Sequence, residues 1–360
     1  MRQVRVAFLI CSNVIGGHEF QSAALARSMT DHVAVKVFVN RTEHMKLFVD
    51  SGLDVQLVEG MLLKTGSLPT QWGIGWVNRH AIRKLVKGFD HVIVCAGAVE
   101  AGIAAGVALK GYKPSSVYLP FFYDRVPVWG RKGHLYNCVI ARACRLFERV
   151  ITINRIQAHV IRAFSGVSTF IVTNKIREVQ PPVEHGPPRL VFVGRLDNQK
   201  RVDELMQWLD ADANPVKELL LIGDGPLRTQ LEHQAQMLTY LKCSFLGWRS
   251  PEEQDRLIRS NDILVLNSLL EGEPLVIREA RARGMKIAAR DIVGTRGVTA
   301  RTERYASQSE LHSCILKSID SISSDKFHHI IPRINESNIK RAFVVKEIAN
   351  FISLRVELDI

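Results

Sequence analysis

The 360-residue chain is poor in acid where it is rich in base. Between residues 60 and 147 stand twelve Lys or Arg but only three acids, Asp90, Glu100 and Asp124, so this segment supplies +9 of the formal net +12. So concentrated a positive field suits anionic partners such as phosphates, anionic lipid or nucleic acid; the plainer alternative is a solvated basic surface. No module of basic residues interleaved with exposed aromatics is present, which argues against nucleic acid. Long apolar runs are missing too. The nearest approach to a membrane span, residues 92–109, contains Glu100 and many small residues, and reads as a strand followed by a helix. The apolar run at residues 6–11 is short and leads into Gly16-Gly17 without a cleavage-like site, so no signal peptide is expected. The six cysteines, Cys11, Cys95, Cys138, Cys144, Cys243 and Cys314, show neither metal-type pairing nor a short disulfide framework. They read as free thiols in a cytoplasmic protein. A hydrophobic fraction of 46% with 23% charge excludes disorder and collagen-like structure.

What is present is alternation. Short β-branched runs at residues 4–10, 33–39, 55–58, 91–95, 116–121, 150–153 and 169–172 predict strands. Helical patterns at 19–29, 76–86, 99–110 and 141–147 fall between them, as parallel strands with crossover helices require. The run Gln180-Pro181-Pro182-Val183-Glu184-His185-Gly186-Pro187-Pro188 can join neither neighbouring element, and predicts a linker. A second series follows, with strands at 190–193, 219–222, 243–246, 263–266 and 286–289. Helices are predicted at 202–209, 227–238, 251–259, 274–283, 310–319 and 338–352. The expected organisation is a first domain over 1–179, the linker 180–188, a second domain over 189–335, and a C-terminal helix in 336–360 able to pack back on the first domain. Both domains read as doubly wound α/β sheets, facing each other across a cleft. Ligands of such sheets sit beyond the carboxyl ends of the strands, so the informative loops are those that follow strands.

Four such loops stand out. Gly194-Arg195-Leu196-Asp197-Asn198-Gln199-Lys200 places two cations five apart after a strand; a guanidinium fork and an ammonium together suit a diphosphate. Gly223-Asp224-Gly225-Pro226 is a glycine-rich strand-to-helix turn that permits close backbone approach to a ligand, although Arg228 replaces the third glycine of a dinucleotide fingerprint. In Glu271-Gly272-Glu273-Pro274-Leu275-Val276-Ile277-Arg278-Glu279, Pro274 predicts the first helical turn, whose free amides favour an anion. Glu271 and Glu279 then flank one ligand there, a carboxylate being a natural acceptor for sugar hydroxyls. Glu273 reads instead as a helix cap. Near the N-terminus, Gly16-Gly17-His18-Glu19 opens a helix with a tight turn and exposed amides.

Together these motifs resemble glycosyltransferase family 4, whose members have the two-domain GT-B fold. The matches are Gly194-Arg195-Leu196 with Lys200, Gly223-Asp224-Gly225-Pro226, Glu271 with Glu279, and Gly16-Gly17-x-Glu19. They cover the second domain over roughly residues 189–294, but only the start of the first. The resemblance implies that Arg195 and Lys200 hold the donor diphosphate, Glu279 the ribose, and that Glu271 lies by the transferred sugar. It also implies that Gly194, Gly223, Gly272, Pro274, Leu275 and Val276 line the nucleotide-sugar site, with Gly16 and Gly17 approaching from the other domain. Enzymes of this kind retain anomeric configuration and need no divalent metal. The chain departs from the family in three places. No histidine occurs in the stretch from Tyr118 to Asp124, where Tyr123 or Asp124 is left to substitute, with His18 of the first loop also a candidate for the sugar or acceptor side; Asn267-Ser268 replaces Pro-Ser; and Gly297 stands where a glutamate is usual.

Residues 76–89 predict a basic amphipathic helix. Ala81, Ile82, Leu85, Val86 and Phe89 form its apolar face, with Trp72 and Trp76 ahead of these positions, and Arg79, Arg83, Lys84 and Lys87 lie elsewhere around it. Such a helix suits an anionic membrane surface, while a core-packed helix with a charged outer face is the plainer reading. The expected protein is a hexosyl transferase building a surface polysaccharide or lipopolysaccharide from a nucleotide sugar and a lipid-linked or glycan acceptor, peripheral on the inner face of the cytoplasmic membrane. The alternatives are a catalytically weak GT-B assembly partner docked on the membrane, and a nucleotide-sugar epimerase.

Overall fold

A computed structural model describes residues 2–12, 15–58, 68–97, 99–120, 122, 126–175, 179, 186–324 and 332–357. The proline-rich stretch 180–185, Tyr123 and Asp124 lie outside the described residues. The chain divides into two compact units, residues 1–175 with 337–360, and residues 176–336.

The first unit runs β1 (Arg5–Ile10), α1 (Gly17–Met29), β2 (Ala34–Val39), α2 (Thr42–Asp50), β3 (Val55–Leu57), α3 (Leu68–Val77), α4 (Arg79–Leu85), β4 (His91–Cys95) and α5 (Val99–Leu109). It continues with β5 (Ser115–Tyr118), α6 (Val126–Trp129), α7 (Arg131–Cys144), β6 (Arg149–Thr152), α8 (Arg155–Ser165) and β7 (Ser168–Ile171). The second runs β8 (Leu190–Val193), α9 (Val202–Leu209), β9 (Glu218–Ile222), α10 (Arg228–Ala235), β10 (Lys242–Gly247), α11 (Pro251–Leu257), β11 (Ile263–Leu266) and α12 (Leu275–Ala282). Then follow β12 (Lys286–Arg290), α13 (Val293–Arg296), a 3-10 turn (Arg301–Glu303), β13 (Arg304–Tyr305) and α14 (Gln308–Ser324). A long helix, α15 (Pro332–Glu357), closes the chain.

Every described pairing in both sheets is parallel, in the orders β3-β2-β1-β4-β5-β6-β7 and β10-β9-β8-β11-β12-β13. Parallel strands are covered on both faces, which explains why the central ones read as unbroken apolar runs. β4 and β11 are buried along their whole length. In the first unit one face packs residues of α4, α5, α7 and α8. The other packs α1, α2 and, from α15, Val345, Ile348, Ala349 and Ile352.

Three sequence expectations need correction. Residues 76–86 form not one helix but the end of α3 and the whole of α4, broken at Asn78. Gly75 draws α3 so close to α5 that a Cβ there would lie 2.6 Å from the Ala104 carbonyl oxygen, and the chain must turn before Ile82 and Val86 can reach the core. Lys87 follows the helix in a turn. Secondly, Pro274 is the N-cap of α12 with an extended ψ of 110°, so the helix begins at Leu275. Thirdly, the predicted helix at 141–147 overlaps only the end of α7, which runs from Arg131 to Cys144, and residues 145–147 lie in the turn after it.

Candidate functional site

In each sheet the strand order reverses about a central pair, β1 beside β4 and β8 beside β11. At such a point successive crossovers depart in opposite directions and leave a crevice beyond the strand ends. The motif loops lie there. In the second unit, the loop after β8 carries Arg195 and Lys200, and the loop after β11 carries Glu271.

Three contacts stitch these loops together. Leu269 N donates to Gln199 O at 2.8 Å, and Gln199 Nε2 donates to Leu270 O at 2.8 Å. Lys200 Nζ pairs with Glu271 Oε1 at 2.5 Å. With side chains only 17% and 11% exposed, that pair is screened less than a surface ion pair. Arg195 sits at the rim, 56% exposed, its Nε 3.7 Å from Asp197 Oδ2. Glu279 is half-buried on α12, the helix that leaves the Glu271 loop. Its Oε2 lies 3.9 Å from Arg283 Nη1, but the Arg283 guanidinium is mainly committed to Asp255 Oδ1, through Nε at 3.1 Å and Nη2 at 2.7 Å. Lys200 and Glu271 are thus brought into direct contact, with Arg195 on the same loop and Glu279 on the helix that follows.

The glycine-rich turn packs closely on the neighbouring loop. Gly223 has φ +141°, and a Cβ there would lie 1.9 Å from the Gly194 carbonyl oxygen. A Cβ on Gly225 would lie 2.4 Å from Leu196 O, and one on Gly294 2.1 Å from Glu271 O. These glycines let loop approach loop at the ends of β8, β9 and β11. Hydrogen bonds fix the same packing: Gly194 N to Ile222 O, 3.0 Å; Leu196 N to Asp224 O, 3.0 Å; Leu227 N to Leu196 O, 3.1 Å. Asp224 accepts from Gly225 N and pairs with Arg228, and these bonds hold its carboxyl below the usual range. Gly272 and Pro274 are buried, whereas Leu275 and Val276 at the start of α12 are half-exposed. Glu273 is no cap: its buried carboxylate pairs with Arg278 Nε at 2.5 Å.

Beneath the loops lies a polar network that sequence reading missed. Asn267, fully buried, donates through Nδ2 to Arg201 O (3.1 Å) and Glu204 Oε2 (2.9 Å). Its Oδ1 accepts from Arg290 Nη1 (3.3 Å) and the Tyr305 hydroxyl (3.2 Å). The residue that departs from the family pattern therefore ties β11 to α9, β12 and β13. Arg201, among the described residues the one non-glycine with positive φ (48°), caps α9 directly after Lys200. Trp248 was also passed over. Its indole is 71% exposed just beyond β10, where Gly247 O accepts from Gly223 N at 2.9 Å. The signal was a Gly-Trp pair ending a strand.

In the first unit, Gly16 caps α1 and its N–H donates to Glu19 Oε2 at 2.7 Å; Glu19 is 2% exposed. His18 stacks on the Tyr118 ring, centroids 5.7 Å apart, next to Gly97 beyond β4. The carboxyl ends of β1, β4 and β5 thus converge on this imidazole. Burial lowers the His18 pKa, and the neighbouring Glu19 carboxylate only partly offsets that, so the ring is held neutral. Of the side chains expected to face a membrane, Trp76 (66% exposed), Arg79, Lys84 and Lys87 are exposed, and Arg79 stacks over the Trp76 indole. Arg83 is not among them: Nε donates to Ala108 O at 2.8 Å and the guanidinium lies on Tyr112, because α4 packs against α5.

Residues 174–337 match the family model described as glycosyl transferases group 1. A curated relative, the UDP-Gal:alpha-D-GlcNAc-diphosphoundecaprenol alpha-1,3-galactosyltransferase of Escherichia coli, is 26% identical over 176 residues, 46% of this chain and 45% of the relative. The chain aligns with less than half the length of the curated relatives it matches. Among solved structures, the apo lipopolysaccharide outer core galactosyltransferase WaaB superposes with a TM-score of 0.69 at 18% identity, covering 97% of this chain and 99% of that one. Anabaena HepE in complex with UDP-glucose gives 0.69 at 14% identity, covering 98% and 99%. Likeness at such identity speaks for the fold, and the fold is that of two Rossmann-like sheets. Residues 174–337 thus resemble the glycosyl transferases group 1 family, and the chain shares the two-sheet GT-B fold of these solved structures.

Proposed function

We propose that the chain is a retaining glycosyltransferase that moves a hexose-type sugar from a nucleoside diphosphate sugar to a lipid-linked or polysaccharide acceptor, in surface glycan or lipopolysaccharide synthesis. The observation that carries this reading is the Lys200–Glu271 pair, which joins the loops of β8 and β11 at the switch point. An ammonium has three N–H donors, and the bond to Glu271 uses one, leaving two for diphosphate oxygens. Arg195 adds a guanidinium at the rim, and the Leu275 and Val276 amides add the positive end of α12. The acceptor hydroxyl oxygen bonds to the sugar C1 as the bond from C1 to the diphosphate oxygen breaks; the bonding pair leaves with the diphosphate, which takes up the hydroxyl proton. Arg195 and Lys200 stabilise that charge in place of a divalent metal. Glu279 takes the ribose hydroxyls, Glu271 lies by the sugar, and Trp248 offers an aromatic face to the base. The UDP in the names of the galactosyltransferase relative and the HepE complex supports a uridine nucleotide.

Incubation with a panel of nucleoside diphosphate sugars and a lipid-linked acceptor, in the presence of chelator, tests this. Nucleotide release and retention of the anomeric configuration are expected, and Glu279→Ala should raise the donor KM about tenfold or more through the loss of charge-assisted hydrogen bonds. Absence of turnover with every donor, with Glu279→Ala binding nucleotide as well as the parent, contradicts the reading; recovery of an altered free nucleotide sugar identifies an epimerase.

The lipid-linked acceptor is supported by the diphosphoundecaprenol in the relative's name and by the corner between α3 and α4. Trp76 and Val77 (79% exposed) project there beside Arg79, with no helix among the described residues long and apolar enough to cross a membrane. A peripheral contact through this corner predicts co-sedimentation with vesicles containing anionic lipid, reduced about tenfold by the double substitution Trp76→Ala and Lys84→Ala. Equal sedimentation with neutral vesicles argues against it.

A further inference from the structure

We propose that the second unit carries an additional anion site, a cavity of about 500 Å³ between β13, the 3-10 turn before it and α14, that takes a small phosphate-bearing metabolite. The reading is independent of the donor site. Its walls hold three cations, Arg301, Arg304 and Lys317, against two carboxylates, Asp291 and Glu310, and both carboxylates are already committed. Asp291 accepts from Arg296 Nε at 2.8 Å and Nη2 at 3.2 Å, and Glu310 Oε2 accepts from Ala306 N at 2.6 Å.

The cations are less well matched. Arg304 reaches Asp291 only at 3.5 Å through Nη1, while its Nε is buried and lacks an acceptor. A buried donor without an acceptor is uncommon in native proteins and calls for a partner. Among the described residues neither Arg301 nor Lys317 has an ion pair. With Asp291 already bonded to Arg296, three positive side chains line one cavity against the single remaining carboxylate of Glu310, so the wall keeps an excess of positive charge. The Ser313 and Thr302 side chains add hydroxyls to the same wall. Two guanidiniums, an ammonium and hydroxyls form the donor set that phosphate oxygens accept from. The volume is that of a small-metabolite site, larger than a bare ion requires. Because Asp291 begins the loop whose Gly294 packs on the Glu271 backbone, an occupant here lies one short loop away from the candidate donor site.

Calorimetric titration of the full chain with inorganic phosphate, at ionic strength held constant with chloride, tests the proposal. Saturable binding is expected that Lys200→Ala leaves in place and that the double substitution Arg301→Gln and Arg304→Gln weakens about tenfold or more. Should the loss of Arg304 unsettle the fold, Lys317→Gln on the exposed side of α14 is expected to weaken the same binding. Phosphate binding that disappears in Lys200→Ala and is unaltered by the Arg301, Arg304 and Lys317 substitutions assigns all of it to the donor loop and overturns the proposal.

Discussion

Lys200→Ala is expected to lower kcat/KM for the sugar donor by about 10³, or about 4 kcal/mol, while leaving the chain folded. The size follows from where the ammonium stands. It joins two loops at the switch point from a position largely removed from water, where a preorganised positive charge acts on developing negative charge without the screening of a surface. The substitution also leaves Glu271, 11% exposed, with its ion-pair partner gone. That carboxylate then faces the diphosphate directly and adds repulsion to the lost attraction. Circular dichroism separates this from unfolding, and Lys200→Arg, which keeps the charge, should recover part of the activity. A parent-like kcat/KM in folded Lys200→Ala would remove the ammonium from the reaction.

Gly223→Ala is expected to cost about 3–5 kcal/mol in urea unfolding of the second unit, among the largest effects of any single methyl group in this chain. Two independent penalties meet at Gly223. Its φ of +141° is closed to residues with a Cβ, and the added carbon would lie 1.9 Å from a backbone oxygen that belongs to the neighbouring loop. No flexible side chain is available to yield. Gly52 isolates the first penalty: φ is +75° with nothing within 4 Å of a Cβ, so Gly52→Ala should cost about 1 kcal/mol. If both substitutions cost the same, the close packing of the Gly194 and Gly223 turns is not what stabilises the site.

These two positions mark what was legible in the sequence. Central strands such as Leu190–Val193 and Ile263–Leu266 announce themselves as apolar runs, because burial on both faces permits nothing else. The motifs were legible for a related reason: a loop that follows such a strand must end at the ligand edge of the sheet. Elements whose form depends on distant partners were not. The break between α3 and α4 follows from Gly75 meeting Ala104 on α5, a contact across nearly thirty residues that no local pattern records. The two-residue strand β13 is too short to show a period, yet its Tyr305 reaches Asn267 and completes the network beneath the loops.

Within the site, the kinds of residue were readable and their directions were not. Arg195, Lys200, Glu271 and Glu279 sit on the expected loops and helix, but Glu273 turns inward to Arg278 and Arg83 turns toward α5. A charged side chain advertises its chemistry in the sequence, whereas its partner is chosen by packing. Asn267 illustrates the converse. An amide that looked like a departure from the motif proves to have four hydrogen bonds to fill, and the structure fills them.

A crystal structure with bound UDP examines the main proposition without intermediaries. The diphosphate should contact Lys200 and Arg195, with the ribose hydroxyls on the Glu279 carboxylate. Nucleotide found away from the β8 and β11 loops, or a diphosphate that touches neither cation, would refute it.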